Sequence, residues 1–293
     1  LLHNHVLSRG SHAYPGAYGL LAPLKKVPSA YGWCRTRWRC ATLAAHLTLQ
    51  RGIAVSSSTR RRWRHALGGV WKRAQLVARA DDPERVEKLA RSRHVLPTLG
   101  KRAVVRFADE LDIPLLPKVG SQGMPQGETV KIVTPGQNHK HSLAGAREPK
   151  TGRLVHGVGL RKTNALFRVL LDRLEGLYPK AQFATVYVVV DNYGIHKAKA
   201  VERWLAAHPR FELLFLPTYC PKANPIERAL GDVHDQCTRT HPRNRIEDLV
   251  WDVEQHVATN GPWHYKLSQL YYTPEVTAAV EHITTEQQLQ QAA

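Results

Sequence analysis

The chain has 293 residues, enough for one large domain and a small one, and its 43% of hydrophobic residues is normal for a globular protein. Four cysteines exclude a disulfide scaffold and fit a reducing cytosol, and no apolar run approaches the roughly 18–20 residues of a membrane span. Residues 1–80 carry 14 Lys and Arg without any Asp or Glu, whereas residues 81–293 carry 28 basic and 24 acidic residues. This distribution predicts a polyanion-binding module on a nearly neutral body.

The basic module is predicted to be a small all-α (winged) helix-turn-helix domain over residues 31–80. Residues 1–30 show no sustained period and are expected to be poorly ordered. Because the chain opens with Leu1 instead of methionine, we expect a fragment or a translated stretch upstream of the true start. A helix is predicted over 36–50, and a second over 59–67 after a run of serines. The second helix carries four arginines for phosphate and groove contact, namely Arg60, Arg61, Arg62 and Arg64.

The alternative for this module is a basic solubility or targeting tail, which its tryptophans and helical pattern disfavour. Trp33, Trp38, Trp63 and Trp71 are expected to form the small core of the domain, with base stacking as the alternative.

The remaining chain is predicted to hold a linker helix within 81–100, an α/β domain over 101–260 and a helical extension over 261–293. A charged helix is expected at 81–94. Strands are predicted at 103–107, 129–134, 154–160, 185–190 and 211–216, and helices at 163–177, 196–208 and 224–240. The run at 185–190 is almost entirely β-branched, which is typical of a strand buried on both faces. The order predicts a mixed sheet flanked by helices.

Three carboxylates occupy positions where α/β folds gather ligands. Asp109 and Asp191 each follow a predicted strand, and Glu227 lies in the first turn of a predicted helix. If the first and fourth strands are neighbours, the two aspartates lie side by side. Clustered carboxylates repel one another and therefore need a cation. Oxygen ligands without Cys or His favour Mg²⁺ or Mn²⁺, and two such ions could act on a phosphodiester. The alternative is that each acid is a surface residue or a helix cap.

Two motifs here resemble those of a known family. Residues 188–197 read Val-Val-Val-Asp-Asn-Tyr-Gly-Ile-His-Lys, and residues 216–228 read Leu-Pro-Thr-Tyr-Cys-Pro-Lys-Ala-Asn-Pro-Ile-Glu-Arg. They resemble the second and third catalytic motifs of bacterial insertion-sequence DDE transposases of the mariner superfamily, insertion-sequence 630 type. The 35 residues between Asp191 and Glu227 are typical of that group. Residues 107–110, Phe-Ala-Asp-Glu, match the short first motif.

The resemblance implies an RNase H-like catalytic domain that cuts and rejoins double-stranded DNA. Asp109, Asp191 and Glu227 would be the catalytic metal ligands, with Glu110 as the alternative to Asp109. Asn192, His196 and Asn224 match positions that neighbour the metals. The expected DNA partners are terminal inverted repeats and a TA-containing target. The chain would bind this DNA as a homodimer and would have no membrane partner. It would be a bacterial, cytoplasmic protein associated with the nucleoid.

Two departures from the family pattern are visible. The first of the usual two helix-turn-helix units is replaced by residues 1–30, and relatives carry a tryptophan near Gly123. The alternatives to an active transposase are therefore a structure-specific nuclease on the same fold and an inactive DNA-binding remnant.

Other signals point more weakly to metal sites. His234, Cys237 and His241 have zinc-like spacing without a fourth ligand, so a packed helix face is the simpler interpretation. His139 and His141 are expected to be solvated in a polar loop.

Overall fold

The computed structural model describes residues 22–52, 54, 56, 58, 82–98, 100–121 and 123–292, and the chain divides into two compact units, Leu1–Val77 and Ala78–Ala293. The helices are α1 (Cys40–Arg51), α2 (Arg85–Thr98), α3 (Asn164–Leu177), α4 (Lys199–Ala207), α5 (Ile226–Val233), α6 (Ile246–Asn260) and α7 (Pro274–Ala292). The strands are β1 (Ala103–Pro114), β2 (Lys140–Arg147), β3 (Leu154–Gly159), β4 (Thr185–Val190) and β5 (Phe211–Phe215). None of the helices in these described ranges is long and apolar enough to cross a membrane.

In the first unit, α1 starts four residues later than predicted and ends where the sequence indicated. Gly52 follows the helix with a φ of 65°, the left-handed conformation that glycine adopts most readily at a helix end. Trp38 is buried and donates a hydrogen bond from Nε1 to the Lys26 carbonyl, 2.8 Å away, while Trp33 Nε1 donates to His46 Nδ1 at 3.3 Å. These two tryptophans therefore contribute to the interior of the unit. The predicted second helix, with its four arginines, lies outside the described residues.

The second unit is built on a five-stranded mixed sheet in the order β3-β2-β1-β4-β5. Strand β1 is antiparallel to β2 and parallel to β4; β2 is antiparallel to β3, and β4 is parallel to β5. The predicted mixed sheet flanked by helices is thus confirmed. Strands β1 and β4 are neighbours and run parallel. The expectation that Asp109 and Asp191 lie side by side depended on these two strands being neighbours.

Alternate residues of the strands pack into two separate cores. On β1, Val105 and Phe107 face a core made with α2, α5, α6 and α7, and we call this side the α5 face. Val104 and Ala108 face a core made with α3 and α4, which we call the α3 face. Because successive side chains of a strand point to opposite faces, the residue number alone tells which core a β1 side chain meets.

Helix α3 shows how sequence sets one of these layers. The Thr163 hydroxyl accepts a hydrogen bond from the Leu166 N–H at 3.4 Å and caps the first turn. The buried side chains of α3 then recur at helical spacing, at Leu166, Phe167, Leu170, Leu171 and Leu174. The glycines of β3 allow this helix close to the sheet, because a Cβ on Gly157 or Gly159 would lie 3.2 Å from an α3 side chain.

One predicted strand is wrong. Residues 129–134 belong to no strand, and two of their side chains, Val130 and Val133, are 47% and 77% exposed. The second strand is β2, which includes His141, so this histidine does not lie in the predicted polar loop. Strand β2 is rich in small residues, and a Cβ on its Gly145 would lie 3.5 Å from Ile226 Cδ1. Leu154 Cδ1 is closer still, 3.2 Å from that Cβ position, so the packing of β3 and α5 leaves little room at this position for a β-branched residue.

Three further boundaries differ from the expectation. Asp109 lies inside β1 and does not follow it, because β2 continues to pair with β1 as far as Pro114 after the β4 pairing ends. The helix predicted over 196–208 is a 3-10 turn at Gly194–Lys197 followed by α4. The helix predicted over 224–240 is α5, continued by a π-helical turn at His234–Thr238.

Candidate active site

Asp109 and Asp191 lie next to each other at one edge of the sheet. The parallel register of β1 and β4 ends with Phe107 opposite Val189, and two further residues along each chain lead to Asp109 and Asp191. Phe107 and Val189 both pack into the α5-face core, and residues two positions later point to the same face. The register therefore places the two aspartates on the side of the sheet that α5 covers.

Glu227 is brought to the same place by the start of α5. The Asn224 side chain is buried and donates a hydrogen bond from Nδ2 to the carbonyl of Ala108, 3.0 Å away, beside Asp109. The Asn224 carbonyl in turn accepts a hydrogen bond from the Glu227 N–H at 3.2 Å. Asn224 thus fastens the beginning of the helix to β1, which explains a specific amide at this position.

These residues line one cavity of about 310 Å³. Its walls include the three candidate acids together with the chain that follows β5, and the lining residues are Asp109, Asp191, Asn192, Tyr193, Leu216, Pro217, Thr218, Tyr219, Cys220, Pro221, Asn224 and Glu227. Tyr219 on the rim is 81% exposed and has a φ of 53°, which is uncommon for a residue other than glycine. The cavity is large enough for a phosphodiester group.

The acids interact electrostatically. Burial raises the pKa of Asp109 to about 7, and the negative charge of Glu227 acts in the same direction. Burial alone would also raise the pKa of Asp191, but His196 and the Tyr193 N–H outweigh it and hold that pKa below its usual range. Tyr193 N–H donates to Asp191 Oδ1 at 3.0 Å, and His196 Nε2 lies 3.1 Å from the same atom. The two aspartates therefore differ in how far their charge is already compensated.

The side chains are not yet gathered as ligands. Among the described residues, no three His, Cys, Asp or Glu side chains are close enough together to hold a metal ion. One oxygen of each aspartate has a protein partner, since Asp109 Oδ1 accepts from the Glu110 N–H at 2.7 Å. The donor set nevertheless fits a hard divalent cation, because it consists of carboxylates and includes a buried one whose pKa is raised by burial and by a second acid.

The three predicted neighbours of the acids have distinct contacts. Asn192 donates from Nδ2 to the Leu216 carbonyl and accepts from Lys197 Nζ at 2.9 Å, so it joins the loop after β4 to the end of β5. His196 is completely buried, and its ring meets the Phe167 ring edge-on with centroids 4.4 Å apart. Asn192 and Asn224 thus hold segments that carry the acids, and His196 contacts the Asp191 carboxylate.

Lys162 is a charged residue beside the acids that the sequence analysis did not find. Lys162 Nζ lies 3.2 Å from Glu110 Oε2 and 4.0 Å from Asp109 Oδ1. Burial alone would lower the pKa of Lys162, but these carboxylates outweigh it and raise the pKa. Strand β3 runs in the same direction as β1, so the loop after β3 reaches the edge of the sheet where the acids lie. Only the strand order reveals this, which is why Lys162 left no signal in the sequence.

Glu110 lies on the other face of β1 from Asp109. Its side chain is 1% exposed, close to Lys162 and to His196, whose ring packs on α3. Glu227 acts on the pKa of Asp109 and is not among the groups that shift the pKa of Glu110. The sheet geometry therefore favours Asp109 over Glu110 as the partner of Asp191 and Glu227.

The zinc-like set does not form a site among the described residues. His234 Nδ1 is 2.6 Å from Thr238 Oγ1, and burial raises the pKa of the Cys237 thiol to about 11, which opposes the thiolate form that zinc binds. His139 is exposed and lies beside Gln137.

Comparisons with known proteins place the chain in a family. The family described as DDE superfamily endonuclease matches residues 104–250. The chain is 36% identical over 240 residues to the insertion element IS630 uncharacterized 39 kDa protein of Shigella sonnei, covering 82% of this chain and 69% of that protein.

Solved structures with a similar fold include a Mos1 transposase paired-end complex with the left transposon end. Its TM-score is 0.51 at 16% identity, over 85% of this chain and 77% of the other. A mariner Mos1 paired-end complex with Mg gives the same values. For a complex with Mn the TM-score is 0.51 at 16% identity, over 80% of this chain and 70% of the other. At this identity the likeness concerns the fold.

Proposed function

The chain belongs to the DDE superfamily endonucleases, among the transposases of the insertion-sequence 630 type, and we propose that it cuts and joins DNA at the terminal repeats of its element. The observation that carries this proposal is the placement of Asp109 and Asp191 side by side on the sheet face that α5 covers, with Glu227 in the same cavity. A transposase needs acids at one point on a rigid scaffold, and two parallel strands and an anchored helix provide it.

Asp109, Asp191 and Glu227 would hold two Mg²⁺ or Mn²⁺ ions. Such ions would activate a water or a 3′-hydroxyl group and stabilise the leaving oxygen at the phosphodiester. Structures of Mos1 complexes with Mg and with Mn support the use of divalent metal by this fold. In this chain the raised pKa of Asp109 fits the same role, since the buried carboxylate lacks sufficient positive charge of its own.

The residues around the acids have supporting roles in this mechanism. Asn224 fixes the start of α5 against β1 and so sets the height of Glu227 over the sheet. Asn192 fixes the loop that carries Asp191 to the end of β5, and His196 backs the Asp191 carboxylate. Tyr193 and Tyr219 line the cavity, where their exposed rings can contact the bases that flank the scissile phosphate.

DNA binding is proposed to depend on the basic segment 31–80, which carries 11 Lys and Arg and no acid. Within it, Arg60, Arg61, Arg62 and Arg64 would contact phosphates and base edges. The partners would be double-stranded terminal inverted repeats and a TA-containing target, with two copies of the chain in the DNA complex. The Mos1 paired-end and left-end complexes are transposase–DNA assemblies on the same fold and support this kind of partner.

The test is Mg²⁺-dependent cleavage of a labelled terminal-repeat duplex beside a gel shift on the same duplex. We expect the full chain to bind and nick it, Asp191→Asn to bind without nicking, and Arg61→Ala to bind more weakly. Because the acids and the arginines lie in different segments, the two defects should separate. Nicking by Asp191→Asn at the normal rate contradicts the site.

Two other outcomes identify the alternatives. Cleavage without preference for the terminal repeats means a structure-specific nuclease. Binding without any metal-dependent cleavage means an inactive remnant of a transposase.

A further inference from the structure

Glu110 is a buried charge that the proposed chemistry does not use. Its side chain is 1% exposed, and neither carboxylate oxygen has a hydrogen bond of good geometry with any described residue. Burial raises its pKa, although the positive charges around it act in the opposite direction. A carboxylate in this position is costly for the fold, since an apolar side chain would fill the same space without desolvating a charge. Such a cost indicates a role outside stability.

The two groups nearest to Glu110 each reach a different candidate metal ligand. Lys162 Nζ lies 3.2 Å from Glu110 Oε2 and 4.0 Å from Asp109 Oδ1. His196 Nε2 lies 3.9 Å from Glu110 Oε1 and 3.1 Å from Asp191 Oδ1. Glu110 thus lies beside an ammonium group that also reaches Asp109 and beside an imidazole nitrogen that is closer to Asp191.

The distances show which way the ammonium group is drawn. Lys162 is closer to Glu110 than to Asp109, and its Nζ also lies 5.0 Å above the Tyr193 ring, which helps to hold it to one side. An ammonium group that moved fully onto Asp109 would occupy the space of a metal ion and compete with it. A second carboxylate on the opposite face of β1 prevents this by offering the stronger partner.

We propose that Glu110 is a positioning residue that holds the Lys162 ammonium away from Asp109, so that this aspartate stays available to divalent cations. This inference rests on the metal site proposed above. It gives Glu110 a role that differs from direct ligation, because the carboxylate acts through Lys162 and from the other face of the sheet.

The experiment is titration of the full chain with Mn²⁺, followed by calorimetry and by the electron paramagnetic resonance signal of free Mn²⁺, without DNA. In Glu110→Gln the ammonium group loses its stronger partner and moves onto Asp109. We expect Mn²⁺ affinity to fall by about tenfold, the size typical for loss of a residue that orients metal ligands. In the double variant Glu110→Gln with Lys162→Met the competing cation is gone, and affinity should return to within about threefold of the unmutated chain.

Asp112→Asn is the matched control. It removes a carboxylate from the same strand, but Asp112 is about half exposed and pairs with Lys140 at 3.1 Å, away from both aspartates. The Mn²⁺ affinity of the Asp112→Asn variant should equal that of the unmutated chain.

Each other result has a definite meaning. Unchanged affinity in Glu110→Gln overturns the inference. Equal loss in the single and double variants also overturns it, because Glu110 would then be a ligand itself. If Glu110→Gln does not fold, the double variant decides, since only the positioning role expects it to bind Mn²⁺ normally. If the unmutated chain binds no more Mn²⁺ than Asp191→Asn, the metal site itself fails, and this inference with it.

Discussion

Arg106 and Asp109 lie three residues apart on β1, and both are buried, yet the fold treats their charges differently. Arg106 is 2% exposed and donates from Nε to Tyr178 Oη at 2.7 Å and from Nη1 to the Arg153 carbonyl at 2.9 Å. Its Nη2 also lies 3.4 Å from Glu148 Oε2. All three nitrogens of this guanidinium group therefore have a partner, as expected of a charge that serves the fold.

The Asp109 end of the same strand is less well compensated. Asp109 is 9% exposed, and burial together with Glu227 raises its pKa to about 7. The neighbouring oxygens of Glu110 and the Asn224 Oδ1 atom are buried without a hydrogen bond of good geometry among the described residues. The two ends of this stretch of β1 thus differ: the protein supplies a partner for each nitrogen of Arg106 but leaves the charge of Asp109 poorly compensated, as expected if Asp109 serves the proposed metal site. Neutralising Arg106 should therefore lower stability and leave activity normal, whereas neutralising Asp109 should abolish activity without lowering stability.

The largest effect should come from Asp109→Asn. The substitution keeps the shape but removes the charge that a hard cation needs, so cleavage of the terminal-repeat duplex should fall by several orders of magnitude. In EDTA the same variant should be more stable by about 1 kcal/mol, because a buried carboxylate near another acid is replaced by a neutral amide. Cleavage assays and urea unfolding at pH 8 measure the two effects. A loss of about 2 kcal/mol or more would show that Asp109 is part of the structural framework.

Arg106→Met should have the reverse pattern. Glu148, Tyr178 and the Arg153 carbonyl would each lose the partner that Arg106 provides, and we expect a loss of about 3 kcal/mol in the free energy of unfolding. Cleavage per folded molecule should stay normal, because Arg106 does not line the cavity. Urea unfolding and single-turnover cleavage are the measurements.

Arg102→Met is the control for Arg106→Met. Arg102 is exposed and donates one bond to the Ala181 carbonyl at 3.3 Å, so its loss should cost no more than about 0.5 kcal/mol. Equal effects of the two arginines would refute the contrast.

The sequence predicts much of this fold where local pattern and burial agree. The β-branched run at 185–190 is β4, because a central strand is buried on both faces and selects such residues. Residues 129–134 are equally rich in β-branched residues, but none of the strands that the structure describes pairs with them. Strand β2 depends instead on tertiary packing, because Leu154 of β3 and Ile226 of α5 leave little room for a side chain at Gly145. Local preference cannot reveal a constraint that comes from a helix 80 residues later.

The site divides in the same way. Motif and spacing led to Asp191 and Glu227, and the parallel register explains why Asp109 lies beside Asp191. Lys162 could not be found, since its approach depends on the direction of β3 in the finished sheet. The difference between Asp109 and Glu110 also needed the structure, because only the identity of the cores on the two faces shows which acid meets α5.

The smallest effect should come from Asp112→Asn, which tests whether burial, and not charge on β1 as such, produces the contrast. Asp112 lies three residues beyond Asp109; its side chain is 47% exposed, and it accepts from Lys140 Nζ at 3.1 Å and from Ser142 Oγ at 3.0 Å. Water and salt screen an exposed pair of this kind, and an asparagine oxygen can still accept from Ser142. We therefore expect a change within about 0.5 kcal/mol in urea unfolding, becoming smaller still in 1 M salt, and normal cleavage. A loss above about 1 kcal/mol would mean that charges along β1 act together through the strand, and Arg106 and Asp109 could then no longer be treated as independent ends.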